Sequence, residues 1–295
     1  MEPFKQTPFG QTIPKTCFMY WDGSPFSLLN YISVQSFRKF HPDWDIKMYM
    51  PINRTKTLSW FTHEQKIAYN GPDYFDQLHK LDVIFISIDM NEIGFSNDAS
   101  EVIKSDYLRY WLLYTYGGIW SDCDIIYIKP LSDVFTLPET RVIICCQQSG
   151  NIVQGYPVGF LASEKNNPFF KTVLDGCARF YNPLRYESLG SMLFVNLFPQ
   201  PSMLIGNENK NNIIIMDKWY YLPYDWNKLH LLYDISSFNP SLSNSLIRPT
   251  TFGIHWFNGA QRTKEFLNNF IIDKIDKIDK NIPIFKYLEE YLNNI

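Results

Sequence analysis

The chain has 295 residues, of which 45% are hydrophobic and 17% aromatic, and this is ample for one large core with at most a small additional lobe. The formal net charge is −3, and the lysines and arginines are spread along the chain instead of forming the basic stripe of a general nucleic-acid binder. We therefore expect a globular protein that does not bind nucleic acid.

The cysteines and the N-terminal residues indicate in which cellular compartment the protein is expected. The five cysteines include no CxxC pair, and Cys145 and Cys146 are adjacent in an apolar run, so we expect reduced thiols and neither disulfides nor a thiolate zinc site. The first residues lack the apolar core of a signal peptide, and no apolar run approaches the ~20 residues of a membrane helix. We predict a protein of the cytoplasm or another reducing compartment without a transmembrane segment, and the loss of an anchor stays an open alternative.

The first part of the chain alternates between strand and helix patterns. Apolar spacing predicts a strand over residues 13–21, a helix over 26–40 and a second strand over 45–50. This order is typical of a parallel α/β sheet. Two helices, over 57–69 and 72–80, and a strand over 83–88 are predicted to follow.

The best-defined element is a helix over residues 99–116. Asp98 stands at the expected N-cap position with Glu101 three residues later, which is the pattern of a capping box. The pair Gly117-Gly118 predicts the end of the helix, because glycine tolerates the left-handed backbone found there. A strand over residues 119–128 is predicted next.

The remaining chain is predicted to continue the α/β pattern and to end in helices. We predict strands over 141–147 and 158–162, helices over 168–181 and 188–198, short strands over 213–216 and 219–222 within a loop-rich region, and helix from 263 onward. The sequence therefore predicts an α/β fold with a mostly parallel central sheet flanked by helices. Residues 1–262 would form the main domain, and residues 263–295 a helical segment packed on it.

The informative chemistry lies in residues 105–131. Asp106 and Arg109 are three apart on the predicted helix, so they share a face. The predicted strand then delivers Asp122 and Asp124 to one side, because strand side chains alternate. Two carboxylates that project together beyond a buried strand suit Mg²⁺ or Mn²⁺, with other ligand positions left to water and phosphate.

An Asp-x-Asp pair alone is weak evidence, and a solvated loop with two acids is the plain alternative. A second such pair, Asp43-Trp44-Asp45, is interpreted as a turn before a strand. The combination of S-D-x-x-R, Gly-Gly and D-x-D at fixed spacing favours the metal site. The sequence has no G-x-S-x-G, H-E-x-x-H, Walker or G-x-G-x-x-G motif, so other catalytic schemes are less favoured.

This stretch resembles the glycosyltransferases of family 32, which contain a DXD motif, and more distantly the glucosylating domains of large clostridial toxins. The family pattern S-D-x-x-R-x-x-x-L-x-x-x-G-G-x-Y-x-D-x-D is matched with Trp120 in place of the usual Tyr. IPKTCFMYWDG, VGFLASEKNNPFF and GIHWFNGAQ resemble further family segments, so the likeness runs from about Ile13 to about Gln261. The chain departs from the family where Phe18 replaces a His and where Ala260-Gln261 replaces Ser-Trp.

The resemblance implies a GT-A fold and metal-dependent transfer of a sugar from a UDP- or GDP-sugar to a hydroxyl of a glycan or glycoconjugate, with retention at the anomeric carbon. It implies that Asp124 ligates Mn²⁺ or Mg²⁺ directly. Asp122 would reach the ribose, or the metal through water. His255 would contact the metal or a phosphate, with a core histidine as the alternative.

Three further roles are implied by the same resemblance. Asp106 would hold hydroxyls of the transferred sugar, and Arg109 would lie against the sugar or a phosphate, unless the two form a plain surface pair. Trp21, at the end of the first strand, would cover the base or ribose, unless it is simply packed in the core. Two other functions stay open: a nucleotide-sugar hydrolase or phosphoesterase that uses the same aspartates, and an inactive module that binds sugar nucleotides.

Overall fold

Strands and helices alternate along the chain. The structure is a computed structural model that describes residues 13–55, 67–150, 152–200, 202–204, 212–234, 246–269 and 282–292. The strands are β1 (Thr16–Tyr20), β2 (Asp45–Pro51), β3 (Val83–Ile88), β4 (Gly118–Ser121), β5 (Ile125–Tyr127), β6 (Val142–Cys145), β7 (Gln147–Ser149), β8 (Ile152–Gly155), β9 (Phe160–Ser163), β10 (Ile213–Met216) and β11 (Gly253–His255). The α-helices are α1 (Leu28–Phe40), α2 (Glu101–Thr115), α3 (Pro168–Phe180), α4 (Ser191–Leu197), α5 (His230–Tyr233), α6 (Gln261–Asn269) and α7 (Pro283–Leu292).

The central element is a seven-stranded sheet with the order β10-β6-β9-β4-β1-β2-β3. The pairs β1–β2, β1–β4, β2–β3 and β6–β10 are parallel, and only β9 runs antiparallel to its neighbours β4 and β6 within the described residues. The predicted fold class, a mostly parallel α/β sheet flanked by helices, is confirmed.

The sheet has an apolar core on each face, as parallel sheets require. Along β1, Cys17 and Met19 point into one core, whereas Phe18 and Tyr20 point into the other. The first core is covered by α1, the small antiparallel sheet β5–β11, α6 and α7. The second core is covered by α2, α3 and α4. Both faces of the sheet are therefore covered by other elements, whereas the ends of its strands are accessible to a ligand.

The start of α2 differs from the prediction. Ser100, and not Asp98, is the N-cap, since the Ser100 hydroxyl accepts a hydrogen bond from the backbone N–H of Ile103. Glu101 makes no capping box. Its carboxylate accepts hydrogen bonds from the ammonium of fully buried Lys104, at 2.8 Å, and from the Tyr20 hydroxyl. A buried ammonium without a partner costs free energy, so pairing Glu101 with Lys104 stabilises the fold more than a capping box at Glu101 would.

Four other predictions need correction or fall outside the description. The strand over 119–128 is two strands in separate sheets, β4 and β5, with a turn between them. Residues 218–220 form a 3₁₀ helix where a strand was expected, and the helix over 72–80 is a 3₁₀ helix, Phe75–Leu81. Most of the helix over 57–69 lies outside the described residues. The antiparallel hairpin β7–β8 and the strand β11 were not predicted.

All five cysteines are free and buried, as expected from their spacing. Among the helices that the structure describes, none has both the length and the apolarity needed to cross a bilayer.

Candidate active site

The turn between β4 and β5 carries the two aspartates of the D-x-D motif. Gly118 has φ 119°, and a Cβ there would lie 2.6 Å from a backbone oxygen of β1, so only glycine lets β4 approach β1 so closely. The strand ends at Ser121, and the backbone N–H of Asp122 then donates to the Gly159 carbonyl at 2.8 Å. The site therefore lies at the carboxyl end of a central parallel strand, where open α/β sheets bind ligands.

His255 reaches the same place from much later in the chain. Strand β11 pairs antiparallel with β5 and sets His255 opposite Ile125, next to the turn. The His255 Nε2 atom lies 3.1 Å from Asp124 Oδ1. One potential ligand atom from each of Asp122, Asp124 and His255 falls within a group whose members are all within 4.8 Å of one another.

These three residues, here called the metal triad, fit a divalent cation. Asp124 Oδ2 accepts a hydrogen bond from the Asn258 backbone N–H at 2.7 Å, whereas buried Oδ1 faces only His255 Nε2 within the described residues. Burial acts to raise the pKa of Asp124, but His255 and the hydrogen bonds outweigh it, so the pKa lies below its ordinary value. An ionised carboxylate with a free lone pair, a second carboxylate and an imidazole are a ligand set that suits Mn²⁺ and also accommodates Mg²⁺.

Asp122 is oriented by two side chains. Its Oδ1 accepts a hydrogen bond from the Trp120 indole N–H at 2.8 Å and lies 3.7 Å from Arg109 Nη1. The Arg109 guanidinium also lies 4.9 Å from the centre of the Trp120 ring, within cation–π range. Burial raises the pKa of Asp122 above its ordinary value, although Arg109 acts in the opposite direction. The indole that replaces the usual tyrosine of the family pattern therefore holds Asp122 directly.

Asp106 and Arg109 form a buried ion pair on α2. Their Oδ1 and Nη2 atoms are 2.8 Å apart, and the two side chains are 4% and 5% exposed, so a plain surface pair is excluded. Arg109 also donates to the Val158 carbonyl at 2.7 Å and to the Ser105 hydroxyl at 3.2 Å. Burial acts to lower the pKa of Arg109, but Asp122 and Asp106 raise it above its ordinary value. The guanidinium thus holds both carboxylates in fixed positions.

Five of the six predicted site residues line one cleft of about 380 Å³: Asp106, Arg109, Asp122, Asp124 and His255. Trp21 is not among the residues that line it. Its ring packs edge-to-face on Phe26 with 4.7 Å between centroids, and its indole N–H donates to the Ser24 carbonyl at 2.6 Å. The role of Trp21 over a base or ribose stays a prediction.

Several residues in or beside the cleft were not predicted. Glu187 lines it from the turn before α4, and Gln147 and Gln154 line it from the hairpin β7–β8. Lys264 donates to the Asn258 side-chain oxygen at 2.9 Å and so braces the segment that bonds Asp124. Burial lowers the pKa of Lys264 to about 8. The run QQSGN carries a turn signal that predicts the hairpin, whereas no local pattern marks Glu187 or Lys264.

Fold and site together define an open α/β protein with a metal-compatible acidic cleft at the carboxyl end of its central strands. More particularly, residues 30–143 match the family model described as "Glycosyltransferase sugar-binding region containing DXD motif". The matched range contains Asp106, Arg109, Asp122 and Asp124, and it ends before His255. A comparison with curated proteins finds no match.

Several solved structures are similar to this chain at low sequence identity. The galactosyltransferase LgtC, in complex with donor and acceptor sugar analogs, has a TM-score of 0.43 and 11% identity over 88% of this chain and 98% of that chain. The glycosyltransferase GlyE of Streptococcus pneumoniae has a TM-score of 0.44 and 12% identity over 94% of this chain and 64% of that chain. The PaToxG glycosyltransferase has a TM-score of 0.43 and 18% identity over 67% of this chain and 75% of that chain.

Proposed function

We propose that this chain is a glycosyltransferase that moves a sugar from a nucleotide-diphosphate sugar to a hydroxyl of a glycan or glycoconjugate, and that it depends on Mn²⁺ or Mg²⁺. One observation carries the proposal. The metal triad and the Asp106–Arg109 pair converge in one cleft, within a chain whose residues 30–143 match a DXD glycosyltransferase region. The turn at the carboxyl end of β4 also supports a GT-A type of fold.

The triad would bind the donor through its metal. Asp124 and His255 would hold the ion directly, and Asp122 would bind it directly or through water, or would reach the ribose. When bound, the ion supplies Lewis-acid stabilisation to the diphosphate as it leaves. The free lone pair of Asp124 Oδ1 and its short distance to His255 Nε2 support this assignment.

The Asp106–Arg109 pair would bind the sugar. Asp106 would accept hydrogen bonds from hydroxyls of the transferred sugar, and Arg109 would lie against the sugar or a phosphate. Gly190 supports the role of Asp106, because a Cβ there would lie only 3.1 Å from Asp106 Oδ2, so a larger residue would crowd this face of the carboxylate. The ion pair with Asp106 and the hydrogen bonds to Val158 and Ser105 fix the orientation of Arg109 before the donor binds.

We further propose transfer with retention, as the resemblance implies. In a front-face displacement, the bond from the anomeric carbon to the leaving phosphate oxygen breaks while the acceptor oxygen bonds to the same face. The acceptor proton passes to an oxygen of the leaving phosphate. The anomeric proton coupling of the product, measured by NMR, tests this step: an α-donor that yields a β-product contradicts it.

The function is tested by incubating the protein and Mn²⁺ with a panel of UDP- and GDP-sugars, with and without EDTA, and measuring nucleotide release. Metal-dependent release that rises on addition of an acceptor sugar supports a transferase. Equal release with and without every acceptor supports the hydrolase, and donor binding without release supports an inactive module. Asp124→Asn is expected to abolish release. Asp43→Asn is the matched control, because Asp43 belongs to the second Asp-x-Asp pair and bonds exposed Lys15.

We also propose that residues 1–262 form the transferase domain and that 263–295 form a helical segment packed on it. Leu267 of α6 and Phe285 of α7 belong to the same core as α1, which supports this organisation. The free, buried cysteines support a reducing compartment such as the cytoplasm.

A further inference from the structure

The cleft continues beyond the residues assigned to the donor. A series of contacts leads away from the metal triad: Asp122 lies 3.7 Å from Arg109, and Arg109 lies 2.8 Å from Asp106. Gly190 comes next, since a Cβ built on it would lie 3.1 Å from Asp106 Oδ2 and 3.5 Å from the Cα of Glu187. Gly190 therefore lies between Glu187 and Asp106, the residue proposed to hold the transferred sugar, and Glu187 lines the same cleft.

Glu187 is held in a conformation that glutamate rarely adopts. Its φ is 58°, in the left-handed region, and its carbonyl accepts a hydrogen bond from the Gly190 N–H at 2.9 Å. Such backbone strain clusters at functional sites. The carboxylate lines the cleft and has no hydrogen-bond partner within the described residues. Burial raises the pKa of Glu187, and Arg109 acts against this rise.

The hairpin β7–β8 also lines the cleft. Gln147 and Gln154 both line the cleft, and their side-chain amides also lack partners in the described part of the chain. The hairpin is tied to the segment that holds Glu187, because the Tyr156 N–H donates to the Ser191 hydroxyl at 2.9 Å. Two amides and a carboxylate offer both donors and acceptors, which is the chemistry that binds several hydroxyls at once.

The charges at this end of the cleft exclude one class of acceptor. Arg109 and His255 are the cationic or potentially cationic residues among those that line the described cleft, and each already faces an aspartate. An anionic sugar would therefore meet the Glu187 carboxylate with no uncommitted cationic side chain among the described residues that line the cleft. Like charges placed together suppress the wrong partner.

We propose that Glu187, Gln147 and Gln154 form the acceptor subsite and that this subsite selects a neutral sugar over an anionic one. A hydroxyl of the acceptor that does not react donates to the Glu187 carboxylate, and the two amides bond neighbouring hydroxyls. This inference rests on the proposed glycosyltransferase function.

The test measures nucleotide release from the active donor while the concentration of a probe sugar is varied. The release rate responds to any sugar that occupies the subsite, whether the sugar accepts the glycosyl group or only displaces water. The probes are the methyl glycosides of glucose, galactose and mannose, each paired with its uronic acid. At least one neutral glycoside is expected to reach its half-maximal effect at a concentration ~10-fold or more below that of its uronic acid.

Substitutions of Glu187 test whether this residue causes the preference for a neutral sugar. Glu187→Gln is expected to raise the half-maximal concentration of the neutral glycoside about 10-fold, because it removes a charged acceptor. Glu187→Lys is expected to shift the preference toward the uronic acid. Glu139→Lys makes the same charge change at an exposed position outside the cleft and is expected to keep the wild-type preference.

Two outcomes overturn the inference and leave the proposed function intact. In the first, nucleotide is released but no probe sugar changes its rate, or uronic acids act as well as neutral glycosides. In the second, both Glu187 variants, folded as judged by their melting curves, keep the wild-type preference. Absence of nucleotide release from every donor overturns the proposed function and the inference together.

Discussion

Removing the Arg109 guanidinium is expected to destabilise the fold strongly, even without metal or donor. Arg109→Met keeps an unbranched apolar side chain but takes the positive charge from beside Asp106 and Asp122. The Arg109 and Asp106 side chains are 5% and 4% exposed, so water can do little to solvate the remaining carboxylate. Breaking a buried ion pair by removing one partner costs about 3–5 kcal/mol. This is a large part of the ~5–15 kcal/mol by which proteins are stable.

The assay is urea unfolding in EDTA, followed by circular dichroism. Adding Asp106→Asn to Arg109→Met removes the buried carboxylate that has lost its cation. The double variant is therefore expected to recover part of the lost free energy of unfolding, with a coupling energy of ~1–3 kcal/mol. Arg179→Met, at an exposed position, is the control and is expected to change the free energy of unfolding by less than ~0.5 kcal/mol. If Arg109→Met lowers the free energy of unfolding by less than ~1 kcal/mol, or if its effect does not couple with that of Asp106→Asn, the buried ion pair does not stabilise the fold as we expect.

Three further predictions concern pH, backbone strain and the orientation of Asp122. Burial lowers the pKa of His41 from 6.5 to about 4, so its stabilisation is complete above pH 6.5 and is lost as the pH falls toward 4. When the pH is lowered from about 7.5 to about 5, we expect the free energy of unfolding in urea to fall by ~2 kcal/mol. This fall should be absent in His41→Gln and should persist in His79→Gln, the control at an exposed site. Gly118→Ala forces φ 119° on a residue with a Cβ and is expected to cost ~1–3 kcal/mol or more, measured the same way. Trp120→Phe removes the N–H that orients Asp122 and is expected to weaken Mn²⁺ binding by about 10–100-fold in calorimetry, and unchanged affinity contradicts this role.

The residues near the D-x-D motif were predictable because their geometry is local. Asp106 and Arg109 are three residues apart, so they share a face of the helix wherever the helix begins or ends. Gly118 marks the start of β4. The break between β4 and β5 was not predictable, because apolar residues continue on both sides of Asp122 and only pairing with different sheets separates them. The N-cap was missed because Asp98 and Ser100 are both good capping residues, and the bonds of Glu101 to buried Lys104 and to Tyr20 depend on the folded core.

The remainder of the site depends on distant segments. His255 was named only through the family resemblance, and the pairing of β11 with β5 brings it to Asp124. Glu187, Gln147 and Gln154 line the same cleft although they lie far apart along the chain, and no spacing in the sequence links them. Trp21 follows β1 and packs on Phe26, and its role over a base or ribose stays a prediction that depends on the resemblance alone.

The metal triad is proposed to bind a nucleotide diphosphate through a divalent cation. Its most direct test is a calorimetric titration of UDP and of GDP into the wild-type protein, in Mn²⁺ and in EDTA, with Asp124→Asn and Asp43→Asn in parallel. We predict that at least one nucleotide binds in Mn²⁺, that EDTA or Asp124→Asn weakens this binding by ~10-fold or more, and that Asp43→Asn does not. Equal affinity with and without metal, or no binding of either nucleotide, contradicts the account.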